Sequence, residues 1–139
     1  MGVGRLKPST SKQSDGGSLV SPAAIVSGVL TGMAVSFLGA LGLAIAVFFM
    51  PLSESGVNMS MNVLQWVGIA GAGLWASRKA GFAGLLHGSL AGLSFVFLLL
   101  ILGLIIMPGL PDLGLVAKRG LIALGIGAVA GIIGMNLDP

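Results

Sequence analysis

Between Asp15 and Glu54 no residue carries a charge, and from Ala23 to Met50 the only polar side chains are the hydroxyls of Ser27, Thr31 and Ser36. A helix needs about 20 apolar residues to cross a hydrocarbon core, so this run can cross with tilt to spare. Pro22 suits a first helical turn and Pro51 marks the exit. A second charge-free window runs from Ser55 to Ser77, but Asn58, Ser60 and Asn62 make its first third polar. The span predicted there is 61–77. The third, 83–107, is rich in Leu, Ile and Phe from Phe95 onward and ends before Pro108 and Pro111. The fourth, 120–137, follows Lys118 and Arg119 and reaches about 27 Å at about 1.5 Å per residue. The pattern predicts an all-α membrane protein: four transmembrane helices over 23–50, 61–77, 83–107 and 120–137.

Residues 1–21 are rich in Ser, Gly and Lys and show no apolar period. They are expected to be a disordered, basic cytoplasmic tail. The apolar run behind them is longer than the roughly 7–15 residues of a signal-peptide core. Leu6 stands where a myristoylation motif wants Ser or Thr.

Composition sharpens this picture. Charged residues make up 8% of the chain, against about 25% in soluble domains. Mean hydropathy is +1.07. A soluble domain could not cover its surface from this stock, which excludes a soluble enzyme and a nucleic-acid-binding module. The chain has no cysteine, so disulfides, thiolate metal sites and cysteine nucleophiles are excluded too. No metal or cofactor is expected. Arg5, Lys7, Lys12, Arg78 and Lys79 would lie on one face of a four-span protein, and Lys118 and Arg119 on the other. The positive-inside rule then puts both termini in the cytoplasm of a multi-pass cell-membrane protein. Arg78, Lys79, Lys118 and Arg119 are expected to contact lipid headgroups.

Small residues recur every four positions: Ala24, Gly28, Gly32 and Ser36; Gly68, Ala72 and Ala76; Ala80, Gly84, Gly88 and Gly92; Ala123, Gly127 and Gly131, with Gly134 nearby. Residues four apart share a helix face, so each span carries a flat groove of the glycine-zipper kind. In lipid, close backbone approach drives helix pairing, and small residues permit it. The grooves fit packing within one chain and packing between subunits alike. Ser27-Gly28-Val29-Leu30-Thr31-Gly32 matches His87-Gly88-Ser89-Leu90-Ala91-Gly92 at Gly, Leu and Gly, and both spans run on to Met-Pro. This suggests two duplicated helical hairpins in parallel orientation, although short matches also arise by chance in so Gly-rich a chain.

His87 is the only histidine and the only ionisable group placed inside a span. Such a residue is either a proton relay or ligand contact, or a neutral side chain hydrogen-bonded to a neighbouring helix. With no carboxylate in any span, the second reading is preferred. His87-Gly88-Ser89 lacks the strand-to-helix turn of a nucleophile elbow, and no base or oxyanion site accompanies it, so no enzyme is expected. Ser27, Thr31, Ser36, Ser89 and Ser94 fit hydrogen bonds to the carbonyl one turn back. Trp66 and Trp75 fit interface anchors. Asn136 is a second polar candidate, near the end of the last span.

A basic loop leads into Gly84-Leu85-Leu86-His87-Gly88-Ser89-Leu90-Ala91-Gly92, and the chain closes on Gly131-Ile132-Ile133-Gly134-Met135-Asn136-Leu137. This resembles the YrzE-type small membrane proteins of Gram-positive bacteria, a family of unknown function, over 21–137. The closing motif departs at Ala130-Gly131, where the family more often has two glycines. The resemblance implies a Gram-positive plasma membrane and no activity. Two functions stay open. One is a non-enzymatic structural or accessory bundle in the lipid bilayer, packing with itself as a homo-oligomer or with a larger membrane complex. The other is a subunit of an oligomeric small-solute or ion transporter or channel. No nucleic acid is expected as partner.

Overall fold

The computed structural model describes residues 19–107, 109 and 111–137. The expected tail therefore lies, up to residue 18, outside the described residues. Four helices follow: α1 Pro22–Phe49, α2 Glu54–Ala80, α3 Gly84–Ile106 and α4 Leu113–Asn136. Three of them, α1, α3 and α4, are long and apolar enough to cross a membrane, with mean hydropathies of 2.2, 2.7 and 1.7 in their most apolar windows. They mark a membrane-embedded protein.

Helix ends follow capping chemistry rather than the edges of the apolar runs. Ser53 Oγ accepts the Gly56 N–H at 3.2 Å and starts α2 before Met61. The Asp112 carboxylate accepts the Gly114 N–H at 2.9 Å and starts α4 before Gly120. Lys118 and Arg119 thus lie within α4 rather than before it. Gly81 closes α2 in the left-handed region with φ 69°, a conformation glycine adopts without a Cβ clash.

The helices run alternately up and down. Among the described residues α2 touches all three others, whereas α1 and α4 do not touch. Around the bundle the order is therefore α1, α2, α4, α3, with α1 and α4 at far corners. A two-fold relation between the hairpins would instead put α1 opposite α3 and α2 opposite α4. α2 is as long as its neighbours but is not among the helices apolar enough to cross. Its small residues, Gly68, Ala72, Gly73, Ala76 and Ser77, are buried against three partners.

Burial is confined to one half of the bundle. The buried residues of α1 lie no further along than Gly32, and those of α3 no further than Val96. Those of α2 begin at Gly68, and those of α4 at Ala123. The half holding the α2–α3 turn is tight, and the half holding the other two loops splays apart.

Candidate functional site

The tight half is sealed by backbone-to-backbone contact. A methyl group on Gly28 would lie 2.5 Å from the Ala72 carbonyl oxygen, and one on Gly32 2.6 Å from that of Gly68. On the other hairpin a methyl group on Gly84 would lie 2.5 Å from the Gly131 carbonyl oxygen and one on Gly92 2.7 Å from that of Ala123, and one on Gly88 would collide with that of Gly127. Gly134 abuts the Leu74 carbonyl. Gly73, which the four-residue rows do not single out, faces Gly127 on the second face of α2, where an added methyl group would lie 2.8 Å from the Gly127 carbonyl oxygen.

His87 and Ser77 are the buried polar side chains here, both fully enclosed. His87 Nε2 accepts the backbone N–H of Ser21 at 2.9 Å, and Nδ1 sits 3.2 Å from the Ala83 carbonyl. These partners assign the tautomer: neutral, with the proton on Nδ1. Ser21 is the N-cap of α1 and has no side-chain cap bond of its own. His87 therefore satisfies an N–H at the start of one helix from the first turn of another. Phe82 closes edge-on against the imidazole, with ring centres 5.0 Å apart. The turn reaches this geometry with Ala83 in the left-handed region, φ 46°. Ser77 Oγ lies 2.8 Å from the Gly73 carbonyl and 2.9 Å from that of Gly84, linking α2 to the start of α3.

The other predicted polar residues fall elsewhere. The Asn136 side chain donates to the Ile132 carbonyl at 3.0 Å and is exposed at the end of α4. Arg78 and Lys79 sit in the last turn of α2, at the tight end. Lys118 and Arg119 are level with the middle of the bundle. Gly92 opposes Ala123, so Val96, one turn on, is level with Arg119, one turn back. From there α3 runs on for about 15 Å at about 1.5 Å per residue.

At this level three of the four small-residue rows give way to larger side chains. The α4 row Gly131, Gly127, Ala123 continues to Arg119, the α1 row reaches Ser36, the α3 row Val96 and the α2 row Leu64 and Gln65. A bulky side chain forces helices apart where glycine would draw them in. The result is a cleft of about 440 Å³ among all four helices, with Ser36, Gln65, Val96 and Arg119 at its inner end. Leu100, Gly103, Leu104 and Met107 of α3 line its course to the loop end. Ser36 Oγ is buried without a hydrogen-bond partner. Its residue type reads as a hydroxyl bonded one turn back, and the structure gives it no such bond.

A family model matches residues 21–134, and the chain belongs to that family, described as "Protein of unknown function (DUF3792)". No curated protein and no solved structure matches it.

Proposed function

We propose that this membrane-embedded member of a family of unknown function is a non-enzymatic structural or accessory bundle, crossing a cell membrane four times through Gly/Ala-packed helices. Its partners are the lipid bilayer and a second copy of the chain or a larger membrane complex. The observation that carries this reading is the state of His87. Both of its ring nitrogens are engaged inside the fold and none of its surface is exposed. A relay needs a nitrogen that exchanges its proton with a path, and this one holds the start of α1 against α3. Placing Arg78 and Lys79 on the inner face puts both termini in the cytoplasm. On the YrzE-type resemblance, that membrane is a Gram-positive plasma membrane.

The two seams also share a register. Gly28 and Gly32 oppose Gly68, Ala72 and Ala76 as Gly88 and Gly92 oppose Ala123, Gly127 and Gly131. Counterparts lie 60 residues apart between α1 and α3 (Gly28 and Gly88, Gly32 and Gly92) and 55 apart between α2 and α4 (Ala72 and Gly127, Ala76 and Gly131). That supports descent from one duplicated hairpin, repacked side by side rather than around a two-fold axis.

The test is complementation of a deletion strain. His87→Gln keeps an amide donor for Ala83 and an amide oxygen for Ser21, so it rescues fully. His87→Leu leaves the Ser21 N–H unpaired, at a cost of about 1–3 kcal/mol, and rescues in part. Loss of function in His87→Gln, at wild-type abundance and unchanged oligomer size, would overturn the reading in favour of a relay.

A further inference from the structure

The splayed half holds a cationic side chain where the surrounding helices are apolar. Arg119 lies on the row that faces the other helices, level with the middle of α3, and lines the cleft. Among the described residues it has no ion pair or hydrogen bond. Side chains on a helix lean toward its N-terminus, and the N-terminus of α4 is at the open end, so Arg119 leans along the cleft rather than into the packed half. One more polar group lies at this depth, the Gln65 amide; the Ser36 hydroxyl is buried against Gly68 and does not open into the cleft. Above them the walls are Leu100, Gly103 and Leu104 with other apolar side chains. Arg119 is exposed along this open cleft, and with no carboxylate facing it among the described residues a bound anion would supply its counter-charge.

The geometry points to a binding site for an amphiphilic monoanion: one aliphatic chain ending in one acid group. The acid meets Arg119, with the Gln65 amide as a further donor, and the chain lies along Leu100 and Leu104. The volume falls within the range of about 300–1,000 Å³ typical of ligand sites, which are mostly apolar with a few converging polar groups. A small hydrated anion would match the floor and leave the walls unmatched. This goes beyond the accessory role and does not depend on His87.

The test uses the full chain in phosphatidylcholine nanodiscs with Trp75→Phe, leaving Trp66, which shares a second groove with Arg119 between α2 and α4. Dibromostearate should quench Trp66 saturably, with a half-point about tenfold below that of its methyl ester. Arg119→Gln should erase the difference between acid and ester. Gly103→Leu should weaken acid binding about tenfold with the melting temperature unchanged, because a side chain on Gly103 meets open space. Equal quenching by acid and ester, or a preference that survives Arg119→Gln, would overturn the charge recognition. Unchanged binding in Gly103→Leu would place the chain on the outer surface and overturn the site. Displacement by millimolar inorganic phosphate would make the occupant a free anion and overturn the amphiphile.

Discussion

Gly88 and Gly125 are both helical glycines, yet only one has a neighbour where a Cβ would go. At Gly88 the position is taken by the Gly127 carbonyl and the Gly131 backbone, whereas at Gly125 nothing lies within 4 Å. Gly88→Ala must push backbone against backbone, which costs about 1–3 kcal/mol as overpacking does elsewhere. Gly125→Ala should be neutral or gain up to about 1 kcal/mol, since alanine is the better helix former. Thermal unfolding in mild detergent separates the two, and equal melting temperatures would contradict the seam. The seam glycines are legible in sequence because four-residue spacing puts them on one face. Gly73 is not, because it stands one residue off its row and matters only once α2 has neighbours on two faces. The partner of His87 is equally hidden: a backbone N–H at Ser21 leaves no mark in the side-chain pattern.

Among the elements α2 is the instructive case. The four helices are legible from charge-free runs, but their limits are not, because caps such as Ser53 and Asp112 lie outside those runs. The depth of Arg119 is illegible for a related reason. Sequence shows a charge before an apolar run, and only the register of α3 on α4 shows how far down the bundle that charge lies. The modest hydropathy of α2 follows from its place: a helix with three protein neighbours needs small residues more than apolar bulk. If α2 crosses the membrane as proposed, its ends face opposite sides. Reporter fusions after Asp138 and within 78–81 should then report cytoplasm, and one near Glu54 the outside. A cytoplasmic Glu54 fusion would reduce α2 to a helix packed on the membrane domain and leave three crossings.

For the whole molecule, the contrast between a sealed half and an open half makes its own prediction. Tight packing leaves no room for a reagent, whereas splayed helices admit one. The chain has no cysteine, so a single introduced thiol reports its own surroundings. Ser77→Cys swaps a hydroxyl for a thiol at a fully enclosed position, and Leu104→Cys places one on the cleft wall at a residue 40% exposed. In mild detergent Leu104→Cys should react with a small maleimide at least about tenfold faster, with a denatured sample giving the rate ceiling for each. Equal reactivity would mean that the halves open alike and that the glycine seams do not seal. Protection of both in native membranes, with Leu104→Cys reactive in detergent, would mean that lipid or another chain closes the open half. Lipid alone covers that half in nanodiscs of the purified chain, so protection seen in native membranes and lost in nanodiscs would mark it as the face through which an accessory bundle joins its partner.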